Sequence, residues 1–127
     1  MILVIEDDPV LARVMSASLK RRALAHVIAV TGAEGHERAG RTLPELIICD
    51  LGLPDIGGLA LITMLRKLPR MSGVPIIVCT GDASRETVQG ALAAGATDYI
   101  AKPIDLLLFE ERVLKAMRAQ RAVSVPA

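Results

Sequence analysis

Acidic, hydroxyl and amino side chains follow four short hydrophobic runs in this chain, each directly after the run ends. In chain order, these polar residues are Glu6 with Asp7, then Asp50, then Thr80 and finally Lys102. If the four runs are parallel strands of one sheet, their carboxyl ends lie at the same edge, where ligands gather in open α/β sheets. The sequence therefore predicts one cluster that holds carboxylates, a hydroxyl and an ammonium.

Three carboxylates in such a cluster repel one another, by several kcal/mol for a close pair at an effective dielectric constant of about 20. Proteins relieve this repulsion by holding a proton or a cation. Mg²⁺ prefers oxygen ligands, takes only one or two carboxylates directly and keeps positions free for phosphoryl oxygens. We therefore expect Glu6, Asp7 and Asp50 to hold a magnesium ion.

Asp50 is the best candidate for a nucleophile, because it ends a central hydrophobic run and begins a segment rich in turn-forming residues. A carboxylate that attacks a phosphoryl donor gives an aspartyl phosphate. The metal, the Lys102 ammonium and the Thr80 hydroxyl would then spread the transferred charge. Asp7, Asp8 and Asp50 could instead be ordinary cap and turn residues, but their joint placement with Thr80 and Lys102 favours a phosphoryl site.

Segments of helical periodicity alternate with the hydrophobic runs and would position these side chains. Continuous Val, Ile and Leu are typical of strands that helices cover on both faces. Asp8 and Pro9 begin a first helix, a second strand is predicted at residues 26–30, and a polar helix containing Gly35 at residues 33–41. The strand–helix unit occurs five times, which predicts an α/β fold with a doubly wound parallel sheet.

Length and composition indicate one globular domain, since the 127 residues are 52% hydrophobic and 23% charged. The net charge of +1 gives no overall field for nucleic acid. Neither a membrane span of about 18–20 apolar residues nor a signal-peptide pattern is visible, so we expect a cytoplasmic protein. Cys49 and Cys79 are expected to be buried hydrophobic residues rather than redox groups, with thiols that come close together if their strands adjoin.

Several stretches, in order and at matching spacing, resemble the receiver domain of two-component response regulators. They are residues 4–9, residues 50–54 with Gly58, residues 78–81 and residues 95–103. The resemblance extends from Ile2 to about Arg121. It implies a flavodoxin-like, five-stranded parallel sheet in the order 2-1-3-4-5 with five helices. It also implies a receiver domain at residues 1–121, followed by a tail at residues 122–127. The residue pattern itself predicts a last helix, capped by Asp105, from Leu106 to about Gln120.

The resemblance also implies a role for each residue of the predicted cluster. Asp50 corresponds to the phosphoacceptor, which receives its phosphoryl group from a phosphohistidine of a histidine kinase or phosphotransfer protein. The implied Mg²⁺ ligands are Asp7 directly, Glu6 through water, Asp50, and the backbone carbonyl of Gly52. Thr80 corresponds to the switch hydroxyl, Tyr99 to the switch aromatic, and Lys102 to the lysine that pairs with the phosphoryl group. Pro103 corresponds to a proline that follows a cis peptide bond.

A switch of this kind needs a surface that reports it, and the resemblance implies the face made by the fourth helix, fifth strand and fifth helix. Residues 106–109 are four consecutive apolar residues at the start of the last helix. Such a run covers more of a helix than one core stripe requires. We expect one or two of them to be exposed and to take part in partner docking or phosphorylation-dependent dimerisation. A first turn wholly buried against a loop is the open alternative.

Three functions remain possible from the residues alone. The first is a signalling switch that catalyses only its own phosphorylation and dephosphorylation, without direct contact with nucleic acid or membrane. The second is a degenerate receiver used only for docking, although every group that a working site requires is present. The third is a flavodoxin-like enzyme that binds a nucleotide or flavin, which the missing glycine-rich phosphate loop after the first strand disfavours.

Overall fold

Five parallel strands and five helices alternate along the chain. The computed structural model describes the backbone of residues 1–124 and the side chains of residues 1–120. The elements are β1 (Ile2–Ile5), α1 (Pro9–Arg21), β2 (His26–Ala29), α2 (Gly32–Thr42), β3 (Leu46–Asp50), α3 (Gly58–Arg66), β4 (Ile76–Thr80), α4 (Arg85–Ala94), β5 (Asp98–Ala101) and α5 (Leu106–Ser124). The sheet order is β2-β1-β3-β4-β5, which confirms the predicted doubly wound, flavodoxin-like fold.

The sheet is covered on both faces, and alternate residues of each strand enter opposite cores. Leu3 and Ile5 of β1 belong to the core that α2, α3 and α4 complete. Ile2 and Val4 belong to the core that α1 and α5 complete, where Phe109 is fully buried. Two apolar layers of this kind explain the continuous hydrophobic runs, because a central strand here has no solvent-facing side.

Strand register brings the polar residues to one edge. Ile5 of β1 pairs with Cys49 of β3, so that Glu6 follows at the level of Asp50. Asp50 pairs with Cys79, and Thr80 pairs with Ala101. All four strands run in the same direction, and their carboxyl ends therefore form one rim from β1 to β5.

Side-chain caps fix where four of the helices start at this rim or near it. Asp8 Oδ1 accepts hydrogen bonds from the amides of Val10 and Leu11 at the start of α1. Thr31, Ser84 and Asp105 cap α2, α4 and α5 in the same manner. These caps satisfy amides that have no partner within the helix.

Three boundaries differ from those predicted. β2 ends at Ala29, one residue early, and α2 spans Gly32–Thr42 although it contains Gly35. α5 continues to Ser124, four residues beyond the predicted end and into the segment expected to be a tail. Residues 125–127 of that segment lie outside the described residues. Among the described residues, no helix has the length and apolar character that a bilayer span requires.

The two cysteines are buried and free, but the expectation that their thiols come together inside one core is wrong. The register pairs Cys49 with Val78 rather than with Cys79. The one-residue offset places Cys49 in the core under α2, α3 and α4, and Cys79 in the core under α1 and α5. Burial raises the pKa of both thiols, that of Cys79 to about 12, so both are protonated at neutral pH.

Candidate functional site

Three carboxylates meet where β1 and β3 end. One oxygen from each of Glu6, Asp7 and Asp50 lies within 4.8 Å of the other two, and we call these residues the acidic cluster. Glu6 is only 1% exposed and Asp50 only 6%, whereas Asp7 is exposed. The acidic cluster therefore has two buried carboxylates at its base and one at its solvent-facing side.

Lys102 reaches the acidic cluster from the end of β5. Its Nζ lies 3.1 Å from Asp50 Oδ1 and 3.2 Å from Glu6 Oε1. Its backbone amide donates to the Thr80 carbonyl at 2.8 Å, which extends the β4–β5 pairing by one residue. The Lys102–Pro103 peptide bond is cis, as the resemblance implied.

Gly52 approaches Asp50 from the loop between β3 and α3. Its amide donates to Asp50 Oδ1 at 3.0 Å. A Cβ atom added at Gly52 would lie 3.6 Å from the same oxygen, which is an ordinary van der Waals distance. Asp50 Oδ1 is thus held by an amide and an ammonium, and no side chain projects from Gly52 over it.

The two buried carboxyl groups differ in their electrostatic environment. Burial raises the pKa of Glu6 to about 7, and the neighbouring Asp50 adds to this rise, against the opposing amide of Asp8. Burial would also raise the pKa of Asp50, but the Gly52 amide and Lys102 outweigh it and lower that pKa. Burial opposes the charge of Lys102, but the two carboxylates outweigh it and raise its pKa. Of the two buried carboxyl groups, Asp50 is the one that stays ionised near neutral pH.

The donor set of the acidic cluster fits a hard divalent cation. Every candidate ligand atom is an oxygen, which is what Mg²⁺ requires. Glu6 Oε1 is buried and makes no hydrogen bond, although Lys102 Nζ is near it. A buried carboxylate oxygen without a hydrogen bond is costly unless a charge or a bound group compensates it. The residues present can therefore hold Mg²⁺.

Thr80 lies at the rim, but its hydroxyl is directed to its own loop. Thr80 Oγ1 donates to the Asp82 carbonyl at 2.9 Å and accepts from the Asp82 amide at 3.0 Å. The Asp82 carboxylate in turn accepts from the Ser84 amide at 3.0 Å and from Thr87 Oγ1 at 2.7 Å. These bonds connect the Thr80 hydroxyl to the first turn of α4. Sequence reasoning missed Thr87, because a threonine in a first helical turn is common and carries no signal of its own.

Tyr99 is half-buried on β5 and packs against the core under α2, α3 and α4. Its carbonyl accepts a hydrogen bond from Arg112 Nη1 at 2.9 Å. The same Nη1 lies 2.6 Å from Asp98 Oδ1, so that one guanidinium connects α5 to β5. The aromatic residue thus sits in a strand tied to the last helix.

Comparison with known proteins identifies the family of this chain. The sequence model of the family described as "Response regulator receiver domain" matches residues 2–114. The KDP operon transcriptional regulatory protein KdpE of Escherichia coli is 34% identical over 125 residues, which are 98% of this chain and 54% of KdpE. An uncharacterised 14.6 kDa protein of Leptolyngbya boryana is 34% identical over 106 residues, 84% of this chain and 81% of that protein. The chain spans about half the length of KdpE and of several other regulators that it matches.

Solved structures show the same fold. A CheY-like receiver domain protein of Methanospirillum hungatei is 30% identical, with a TM-score of 0.88 over 95% of both chains. The receiver domain of the sensor histidine kinase PA1611 of Pseudomonas aeruginosa is 28% identical, with a TM-score of 0.84 over 91% of this chain and 95% of that one. That structure contains a magnesium ion coordinated in its active site cleft. By sequence and by fold, this chain belongs to the receiver domain family of two-component response regulators.

Proposed function

We propose that this chain is a signalling switch in which Asp50 accepts a phosphoryl group from the phosphohistidine of a histidine kinase or phosphotransfer protein. The observation that carries the proposal is the 3.1 Å contact between Lys102 Nζ and Asp50 Oδ1 beside two further carboxylates. A buried aspartate that keeps its charge at neutral pH is a competent nucleophile. The ammonium next to it can pair with the incoming phosphoryl oxygens.

In the transfer step, a carboxylate oxygen of Asp50 attacks phosphorus while the bond from phosphorus to the donor nitrogen breaks. The electron pair of that bond returns to the imidazole, which takes up a proton. Lys102 stays paired with the phosphoryl group and the Gly52 amide fixes the orientation of Asp50. Dephosphorylation is a separate step, in which water attacks phosphorus while the bond from phosphorus to the Asp50 oxygen breaks. Inorganic phosphate and a proton leave and the carboxylate is restored, and the absent side chain at Gly52 leaves room for that water.

Mg²⁺ belongs to the same proposal. Asp7 and Asp50 would hold it directly, Glu6 through water, and the Gly52 carbonyl would be the backbone ligand. When bound, the ion supplies positive charge that offsets the repulsion among the carboxylates and the phosphoryl oxygens. Glu6 Oε1 and the exposed Asp7 support this role, because the first accepts no hydrogen bond and the second is open to entry from solvent.

The switch would run from Thr80 to α4 and β5. After phosphorylation, the acyl phosphate offers oxygens that the Thr80 hydroxyl can reach only by leaving the Asp82 backbone. The loop that Asp82 ties to Thr87 would then move the first turn of α4. Tyr99, now half-buried, would rotate inward into the space that Thr80 vacates. A local change of charge thereby selects between two packings.

The output face of this proposal includes the first turn of α5. Leu107 is 80% exposed and Leu106 is 37% exposed, whereas Phe109 is fully buried. The expectation that one or two of these four residues are exposed is confirmed, and a wholly buried turn is excluded. We propose that Leu106 and Leu107 contact a partner protein or a second copy of this chain after phosphorylation. The chain itself, with a net charge of +1, is not proposed to bind nucleic acid, although one relative is described as a DNA-binding regulator.

Phosphorylation can be tested with a small phosphoryl donor. Incubation with acetyl phosphate and Mg²⁺ is expected to add one phosphoryl group, measured by intact mass, and Asp50→Asn should abolish the gain. Asp105→Asn is the matched control, because it makes the same change at an exposed helix cap where Asn serves equally well. A gain that persists in Asp50→Asn, or no gain in the unmodified protein, would contradict the proposal and favour a docking module.

Self-association through α5 needs its own test. Leu107→Ser is expected to reduce the mass that the protein reaches in solution with a phosphoryl mimic bound, while the unphosphorylated mass stays unchanged. Leu59→Ser on α3 is the control, because that leucine is also exposed, at 45%. If Leu107→Ser neither changes the association state nor weakens partner binding, the proposed output face is wrong.

A further inference from the structure

The loop that carries Gly52 is largely exposed to solvent. This loop, residues 51–57, connects β3 to α3 and exposes Gly52, Pro54, Asp55 and Gly57 to solvent. Leu53 is buried, and Ile56 packs partly against the core. On the near side of Gly52, the Leu51 amide donates to the Cys79 carbonyl at 3.0 Å, and on the far side the position of Gly52 depends on how the rest of the loop is held.

Asp55 is the polar side chain that ties this loop to a neighbouring element. Its Oδ1 accepts from the Gly32 amide at 2.9 Å, and its Oδ2 accepts from the Ala33 amide at 3.0 Å. Both amides belong to the first turn of α2, where the partial positive charge of a helix end favours an anion. These two hydrogen bonds lower the pKa of Asp55. Both oxygens of the Asp55 carboxylate thus bind the first turn of α2, although Asp55 and Ala33 are 22 residues apart in sequence.

The first turn of α2 is shaped to accept this contact. A Cβ atom added at Gly32 would lie 3.2 Å from Asp55 Oδ1 and 3.1 Å from Ile56 Cβ, closer than most side chains tolerate. α2 also has caps of its own. Thr31 Oγ1 accepts from the Glu34 amide at 3.1 Å, and Glu34 Oε2 accepts from the Val30 amide at 3.2 Å. Asp55 therefore adds a link between two elements to a helix start that is already capped.

We propose that Asp55 is a positioning residue for the phosphoryl-transfer site. By fixing the loop to α2, it holds Gly52 where its amide meets Asp50 Oδ1 and where its carbonyl can serve as a metal ligand. Pro54 stands between the two fixed points and restricts the backbone that joins them. Without Asp55, the loop samples other conformations, and the Gly52 amide leaves Asp50 for part of the time. This inference rests on the function proposed above.

Asp55→Ala and Thr31→Ala form a matched pair that separates positioning from helix stability. Each removes hydrogen bonds from amides in the same first turn of α2, but only Asp55→Ala releases the loop. We expect a similar loss of resistance to urea in both variants. Only Asp55→Ala should weaken Mg²⁺ binding, by about three- to tenfold in calorimetry, and slow phosphorylation by acetyl phosphate to a similar degree. Asp55→Asn, with one accepting oxygen, should fall between the wild type and Asp55→Ala.

Hydrogen exchange of the Gly52 amide provides a readout that needs no metal. Exchange in metal-free protein should accelerate in Asp55→Ala and stay unchanged in Thr31→Ala. Equal exchange in the two variants, or equal Mg²⁺ affinities, would overturn the role of Asp55. Failure of the wild type to bind Mg²⁺ or to gain a phosphoryl group would instead overturn the proposed function. The exchange result would still decide whether Asp55 positions Gly52.

Discussion

At the scale of single residues, the Lys102 ammonium offsets the charge repulsion within the acidic cluster when no metal is bound. Its Nζ is the cation that lies within 3.2 Å of both Glu6 and Asp50. Loss of this cation leaves buried carboxylates to face each other, and an uncompensated buried charge costs more than the pair itself contributes. The protein therefore depends on Lys102 most when the site holds no other positive charge.

We predict that Lys102→Met lowers the free energy of unfolding in the presence of EDTA by about 2 kcal/mol at pH 8, and by less at pH 5. Glu6 has a pKa of about 7 in the folded protein, so its carboxyl group is neutral at pH 5. At that pH, loss of the Lys102 ammonium leaves no charge on Glu6 without a partner. The measurement is urea unfolding at both pH values. Lys67→Met is the control, since Lys67 is exposed. A cost that is the same at pH 5 and pH 8 would contradict this account.

At the scale of elements, Glu110 connects α5 to α1. The residue is 8% exposed, and its Oε1 accepts from Ser18 Oγ at 2.8 Å and from Arg21 Nη2 at 2.6 Å. Its Oε2 accepts from Arg22 Nη2 at 3.1 Å. These three partners lower the pKa of Glu110 to about 2, with Arg21 contributing most. The stabilisation by this pairing is therefore linked to pH.

The sign of this pH dependence follows from the lowered pKa of Glu110. The contribution of Glu110 is present in full above its ordinary pKa of 4.5 and is lost as the pH falls from there to about 2. We predict that Glu110→Gln is less stable than the wild type at pH 7 and that the difference disappears toward pH 2, measured by urea unfolding across this range. Glu111→Gln, an exposed neighbour, should follow the wild type. If the free energies of unfolding of wild type and Glu110→Gln change in parallel as the pH falls, the charge of Glu110 adds no stability through its pairing with α1.

Two glycines of α2 should respond to alanine in opposite directions. A Cβ atom at Gly35 would lie 2.7 Å from Ile5 Cγ1, whereas a Cβ atom at Gly40 would lie 3.5 Å from Leu68 Cδ2. We predict that Gly35→Ala destabilises the protein by about 1–3 kcal/mol, because it overpacks the contact with β1. Gly40→Ala should stabilise it by about 0.5–1 kcal/mol, because alanine favours a helix. Chemical unfolding measures both changes in stability. A gain in stability from Gly35→Ala would contradict the close approach of Gly35 to Ile5.

The elements also show which features can be predicted from sequence and which cannot. The meeting of Glu6, Asp50 and Lys102 was predictable, because parallel strands that end in polar residues share an edge whatever the loops do. The partners of Asp55 and Glu110 were not, since Glu110 and Arg21 are 89 residues apart and their contact depends on helix packing. The end of α5 was misplaced because residues 121–124 contain no glycine or proline, and nothing in their sequence sets them apart from the helix before them.

At the scale of the whole molecule, the acidic cluster links metal binding to the stability of the fold. The strands that bear Glu6 and Asp50 are fully buried at the centre of the sheet, so the cluster forms only when the sheet forms. An unfolded chain holds these carboxylates apart and has little affinity for a divalent ion. A ligand that binds only the folded state stabilises it by mass action. The rim of the sheet therefore couples the proposed chemistry to folding.

We predict that Mg²⁺ raises the midpoint of thermal unfolding by about 5 °C at ten times its dissociation constant, because such binding contributes about 1.4 kcal/mol to the folded state. Calorimetry in Mg²⁺ is compared with calorimetry in NaCl of equal ionic strength, which separates this shift from the general screening of charges by salt. Asp7→Asn should lose most of the shift without a lower metal-free midpoint, because Asp7 is exposed and one less charge relieves repulsion in the cluster. Asp98→Asn, away from the cluster, should keep the full shift. If Asp7→Asn responds to Mg²⁺ as the wild type does, the stabilising ion binds elsewhere on the molecule.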